Sequence, residues 1–138
     1  MITGRVVKNF TIDDMMCKDG TLIITPESIE HAQRLQKFRD WYNRAMNVNS
    51  WYRSPTYNKK VGGSPKSQHM QAIATDIDLP DEYFKMDKVR KQLFLNNIKS
   101  KWEELCKKDG LGGGVGWYSE FYHLDSRQGE SLTTWDER

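Results

Sequence analysis

The 138-residue chain has only two cysteines, three histidines and four prolines, and no apolar run approaches the length of a membrane span. Cys17 and Cys106 cannot build a disulfide framework and their spacing fits no zinc motif, so both are expected to be free, partly buried thiols. Residues 1–10 contain no apolar stretch of secretory-signal length, and synthesis as a soluble cytoplasmic product is the expectation. Charge of one sign is lacking too. Lys and Arg number 21 against 19 Asp and Glu, and a net +2 is too small to argue for nucleic acid, although a weakly basic surface tolerates an anionic polymer. With no repeat, low-complexity segment or linker, residues 1–138 read as one domain, large enough for a core and too small for two. A monomer is expected.

What is present fits a globular enzyme: 37% hydrophobic and 29% charged residues, with five Trp and six Tyr. Residues 1–24 read as irregular with a short strand at 21–24. Thr25 and Pro26 then signal a helix start, an N-cap followed by a proline whose missing N–H is not needed there. Ile29, Ala32, Leu35, Phe38, Tyr42, Ala45 and Met46 recur at helical spacing, predicting a helix to about residue 46. A strand is predicted at 47–51, and the Ser, Pro, Gly, Asn and Lys of 53–67 predict a loop. Residues 74–79 alternate, with Ala74, Asp76 and Asp78 on one face, as in a half-buried strand. A second helix is predicted from about 86 to 107 with Val89, Leu93, Phe94, Ile98, Trp102 and Leu105 as its inner stripe, then a flexible turn at 110–116 and strands at 115–118 and 121–125. Segregated helices and strands give an α+β class, a small antiparallel sheet flanked by helices.

Three side chains carry chemistry of interest. His69, Asp76 and His123 offer two nitrogens and one oxygen, a donor set for zinc that leaves a fourth position open for water, as catalysis requires. His69 and Asp76, seven residues apart, face one cleft if the first ends a loop and the second sits on the following strand. Taken alone, a buried His and Asp are as readily a hydrogen-bonded structural pair. Glu120 lies three residues before His123, near enough to take a proton from water. Asp125, two residues past His123, competes for that role or orients the imidazole. His31, on a helix, is expected to be a solvated surface residue. Gly112–Gly114 lacks the Lys-Ser/Thr of a phosphate loop and reads as a mobile turn. Asp78 is expected to be a cap or ion-pair partner rather than a fourth ligand, and Trp51, Trp117 and Tyr118 either line a groove or join the core.

Four blocks in order carry a resemblance from about residue 9 to 127. They are Trp51-Tyr52-Arg53-Ser54-Pro55-Thr56-Tyr57-Asn58 with Val61-Gly62-Gly63, then Ser67-x-His69 with Asp76, then Gly114-Val115-Gly116-Trp117-Tyr118, then His123-Leu124-Asp125-Ser126-Arg127. The chain resembles the zinc D-Ala-D-Ala carboxypeptidase family of bacterial cell-wall peptidases. That family includes phage L-Ala-D-Glu endolysins and vancomycin-resistance D,D-dipeptidases, and it shares its fold with the hedgehog signalling domain.

The resemblance implies Zn2+ held by His69, Asp76 and His123, with Glu120 as general base and then as acid for the leaving amine. It implies that Arg53 faces the scissile carbonyl or the substrate carboxylate, where its fork of donors stabilises an oxyanion. Ser67 would order the loop before His69 or bind substrate, and Tyr118 would contact substrate. The implied substrate is a peptidoglycan stem peptide, cut by an endolysin that accumulates in the cytoplasm and reaches the wall on release, as a phage or prophage product. The alternatives are a carboxypeptidase trimming terminal D-Ala and a non-catalytic zinc- or wall-binding module. The chain departs from the family at Ala72, where glycine is usual, a mild change unless the backbone there needs a positive φ. Many close relatives also lack a carboxylate where Glu120 stands.

Overall fold

A computed structural model describes residues 4–138; of the N-terminal segment predicted to be irregular, residues 1–3 lie outside the described residues. The chain opens with a two-stranded antiparallel ribbon, β1 (Arg5–Val7) and β2 (Phe10–Thr11), and a single helical turn, α1 (Ile12–Met15). Residues 21–24 carry no strand; extended backbone leads from there to Thr25. Helix α2 (Pro26–Tyr42) starts where the cap signal places it: the Thr25 hydroxyl accepts from the Ser28 N–H, and the Ser28 side chain returns the bond to Thr25. It ends four residues before the predicted residue 46, because Asn43 turns left-handed at φ 52° and its N–H closes on Arg39.

Strand β3 (Val48–Ser50) follows. The predicted loop at 53–67 contains a short helix, α3 (Pro55–Lys60), because Ser54 and Pro55 repeat the cap-plus-proline signal of Thr25 and Pro26. A 3-10 turn (Gln68–Gln71) enters β4 (Ala74–Asp78), and α4 (Asp81–Phe84) leads to α5 (Lys88–Lys108), capped by Asp87. The predicted inner stripe of α5 is wrong in its first turns: Val89 is 77% and Leu93 58% exposed, whereas Leu95, Ile98, Trp102, Leu105 and Cys106 are buried. Val89 and Leu93 stand nine and five residues before Ile98, off the three- and four-residue ladder that keeps side chains on one face.

The main sheet has five strands in the order β3-β4-β6-β5-β7, with β5 (Gly114–Trp117), β6 (Phe121–Asp125) and β7 (Thr133–Asp136). All neighbours are antiparallel except β5 and β7. The class is α+β, as predicted. Strand β5 answers the strand predicted at 115–118 and takes in residues 114–116 of the predicted turn, and nothing in the sequence pattern predicted β7. Strand β4 is buried through Ile77 on both faces, not half-buried. Helices α2 and α5 cover one face, packing Leu35, Phe38, Ile98 and Trp102 against Ile77, Tyr122 and Leu124. Trp102 is fully buried, and its ring N–H donates to the Asp125 carbonyl at 2.8 Å, tying α5 to the end of β6. Truncating such a ring costs about 3–5 kcal/mol.

His31 is not on the surface. It is fully buried beneath the sheet, with Nδ1 2.6 Å from Ser126 Oγ and Nε2 3.0 Å from Thr75 Oγ1. Both cysteines are free and buried, and burial pushes the Cys106 thiol up to about 12.

Candidate metal centre

The face of the sheet away from α2 and α5 holds the polar cluster. Asp76 on β4 and His123 on β6 are direct cross-strand partners, so the pairing register itself puts both side chains on one face. His69 arrives from the 3-10 turn, whose cap Ser67 accepts the His69 N–H at 3.2 Å. The segment after β3 pins this turn twice: the Arg53 N–H donates to the His69 carbonyl at 3.0 Å, and the Trp51 ring N–H donates to the Ala72 carbonyl at 2.8 Å. Ala72 closes the turn at φ 59°. The positive φ that would make glycine the better residue is thus present, at a cost to alanine of about 1–2 kcal/mol.

One donor atom from each of His69, Asp76 and His123 lies within 4.8 Å of the others, and all three residues are buried. The directions of their hydrogen bonds decide what the cluster is. His69 Nδ1 is 2.6 Å from the Trp51 carbonyl, which can only accept, so Nδ1 carries the proton. Burial holds the His69 pKa below its ordinary value and keeps the ring neutral, which leaves Nε2 bare. Among the described residues that bare nitrogen has no hydrogen-bond partner, yet it lies 3.2 Å from Asp76 Oδ2, a second acceptor. His123 repeats the pattern. Its Nε2 donates to Asp125 Oδ2 at 2.8 Å, and its Nδ1 faces Asp76 Oδ1 at 2.9 Å. Only a proton or a metal between them makes that second contact favourable. Burial opposes the proton, but hydrogen bonds to Asp125 and Asp76 outweigh it and raise the His123 pKa. Against its own burial, hydrogen bonds from His123 and His69 hold the Asp76 carboxyl well below the usual range. With a metal in place of the proton between His123 and Asp76, a nitrogen from each imidazole and the carboxylate make a donor set that fits a zinc-type cation.

The other predicted site residues divide. Arg53 Nη2 donates to Asp76 Oδ2 at 3.3 Å, while its Nε reaches Ser50 Oγ at 3.2 Å and its Nη1 reaches Asn58 Oδ1 at 3.4 Å. Arg53, Ser67 and Tyr118 line the same cleft as the trio, a cavity of about 550 Å³. Asp125 lies behind His123: besides the imidazole, its oxygens take Arg127 Nε at 2.9 Å and Nη2 at 2.7 Å. Burial would raise the Asp125 carboxyl, but His123 and Arg127 hold it well below the usual range. Glu120 is set apart. It is exposed at the turn between β5 and β6, its carbonyl accepts the Leu79 N–H at 2.9 Å, and its side chain lines a separate depression of about 650 Å³ with Asn49, Asp78 and Phe84. Among the described residues Asp78 makes neither a cap nor an ion pair; it accepts from the Asn47 and Asn49 amides at 2.6 and 3.2 Å.

A family model described as peptidase M15 matches residues 8–125, most of the chain. The chain belongs to the peptidase M15 family. Comparison with curated proteins finds no match. M15 peptidases of the D-Ala-D-Ala carboxypeptidase type are zinc-dependent, which agrees with the donor set of the trio. This M15 chain is therefore a zinc peptidase in its broad class, and among the described residues no helix is long and apolar enough to cross a membrane.

Sequence reasoning missed three residues of the M15 cleft: Lys66, Arg127 as the partner of Asp125, and Trp135. A signal for Trp135 existed in Gly116, a glycine inside a strand pattern that marks a close approach. A Cβ on Gly116 would lie 2.3 Å from the Trp135 ring.

Proposed function

We propose that the chain is a zinc-dependent murein peptidase of the endolysin type, cutting an amide bond in the stem peptide of peptidoglycan. The observation that carries the proposal is the bare, buried Nε2 of His69 aimed at a carboxylate inside an open cleft. Zinc held by His69, Asp76 and His123 would polarise the scissile carbonyl and make water a nucleophile near neutral pH. The chain's own groups do the rest. Arg53 steadies Asp76 and presents its guanidinium to the cleft, where it stabilises negative charge on the substrate oxygen. Lys66 and Arg127 add two more cations to the lining, which suits a peptide rich in free carboxylates.

Asp125, with its oxygens committed to His123 and Arg127, orients the imidazole. Glu120 is the general base; its side chain has no hydrogen-bond partner among the described residues, so turning it toward the cleft breaks no bond. The protein is made in the cytoplasm as a phage or prophage product, works as a monomer and meets the wall after release.

The test is digestion of purified peptidoglycan by zinc-loaded protein, with fragments identified by mass spectrometry. Cleavage within the stem supports the endolysin role, and release of terminal D-Ala alone replaces it with a carboxypeptidase. Wall binding without any fragment would leave only a non-catalytic module. Glu120→Gln should lower the rate at least ~100-fold with zinc content unchanged; an unchanged rate removes Glu120 from the mechanism.

A further inference from the structure

The family match ends at Asp125, and β7 lies beyond it. Yet β7 reaches the site. It pairs in parallel with β5 so that Trp135 stands opposite Gly116, and with no side chain at Gly116 the indole lies flat over the strand toward His123. The Trp135 and His123 rings are 5.0 Å apart between centroids, and on its other side His123 meets the His69 ring at 5.1 Å. The Arg127 guanidinium sits 5.2 Å from the centroid of the indole. These contacts close a circle. Trp135 packs on His123, His123 donates to Asp125, Asp125 holds Arg127, and Arg127 covers Trp135. The indole N–H also donates to the Tyr118 hydroxyl at 2.9 Å. Because that hydroxyl accepts from Trp135, its own proton remains to be donated, and Tyr118 lines the cleft beside Trp135.

We propose that β7 is part of the catalytic cleft and that Trp135 is a positioning residue with two charges: it fixes the imidazole of His123 for the metal, and it sets the Tyr118 hydroxyl as a donor to substrate. The ring face does the first and the ring N–H does the second, so the two can be separated. The inference rests on the metal-site reading given above.

Zinc affinity is measured by competition with a chromophoric chelator, cobalt(II) absorption reports the ligand geometry, and KM and kcat are measured on soluble stem-peptide fragments. Trp135→Ala should weaken zinc binding ~10- to 100-fold and change the cobalt spectrum, as loss of groups orienting a ligand does. Trp135→Phe keeps a ring against His123 but has no N–H; it should restore zinc affinity to within about twofold of wild type while KM rises several-fold, and Tyr118→Phe should raise KM likewise. Gly116→Val, which drives the ring away, should copy the zinc defect of Trp135→Ala with Trp135 itself intact. Thermal melts accompany each variant, and if Trp135→Ala does not fold, the phenylalanine and Gly116 variants carry the test. Folded Trp135→Ala or Gly116→Val protein with wild-type zinc affinity and cobalt spectrum overturns the His123 role, and Trp135→Phe with wild-type KM overturns the Tyr118 role. A wild-type chain that takes up no zinc would instead overturn the site reading beneath both.

Discussion

Two buried histidine clusters lie on opposite faces of the same strand, β4, and only one of them is built for a metal. On the helix face, Arg34 Nη1 donates to Ser126 Oγ at 2.7 Å, Ser126 passes its proton toward His31 Nδ1, and His31 Nε2 donates to Thr75 Oγ1. Both ring nitrogens of His31 have a hydroxyl partner, and Trp51 and Trp102 seal the ring edge-on at 5.4 and 5.7 Å. Burial, with Arg34 nearby, holds the His31 pKa down at about 3, so the ring is neutral at all ordinary pH. On the cleft face the direction fails: the bare Nε2 of His69 points at Asp76 Oδ2, and both nitrogens of His123 meet carboxylates. Burial is common to the two clusters. What separates them is a chain of hydrogen bonds that ends in itself against one that needs a cation to end at all.

The sharpest way to break the comparison is to remove one histidine from each face. His69→Ala or His123→Ala should abolish stoichiometric zinc binding, an affinity loss above ~100-fold by chelator competition, with catalysis lost alongside. His31→Ala should bind zinc as wild type and instead lose about 2–4 kcal/mol of stability in urea melts, since it leaves a cavity and two unpaired hydroxyls. If His31→Ala lost its zinc, the two faces would be one functional unit. A smaller effect tests the orienting carboxylate: Asp125→Asn should weaken zinc ~10- to 100-fold without removing it, and an affinity equal to wild type would make the Asp125–His123 bond irrelevant to the metal.

Acid sharpens the contrast further. The folded-state pKa of His31 is depressed, so between its unfolded value near 6.5 and about 3 the unfolded chain binds a proton that the folded chain refuses. Stability is therefore lost as pH falls through that window, by up to a few kcal/mol from this residue. His69, also depressed, adds to the loss, and His123, raised, opposes it. The difference in urea midpoint between wild type and His31→Gln should shrink from pH 7 to pH 4; a constant difference would mean that His31 titrates normally. The smallest effect belongs to the turn that carries His69. Ala72→Gly should shift stability by less than about 1 kcal/mol, because relief of the positive φ is offset by the freer unfolded chain and a lost buried methyl.

What could be read in advance follows the range of the physics involved. The start of α2 was legible because Thr25, Pro26 and Ser28 act within one turn. The metal trio was legible as a donor set, and register supplied what spacing cannot, the opposition of Asp76 and His123. His31 was misplaced because a helical periodicity counts apolar residues, and a polar side chain whose two nitrogens are answered by Ser126 and Thr75 hides from it. Strand β5 was legible at 115–118, and only its start was blurred by its glycines. They are there because a Cβ at Gly114 would strike the Asp125 carboxylate and one at Gly116 the Trp135 ring, contacts 11 and 19 residues away along the chain. Glu120 sits beside the cleft instead of in it because a turn fixes its backbone, through Leu79, and leaves its side chain undirected.

The rung that joins Asp76 to His123 also sets how the site can be lost. Both strands that carry it are paired on either side, β4 by β3 and β6 by β5, so these two ligands cannot part unless the middle of the sheet comes apart. Exchange of the Asp76 and His123 amide protons with heavy water should be as slow as any in the chain and limited by global opening. Asp76 and His123 then have no private way to part, and the turn that brings His69 is the part of the centre that can open by itself.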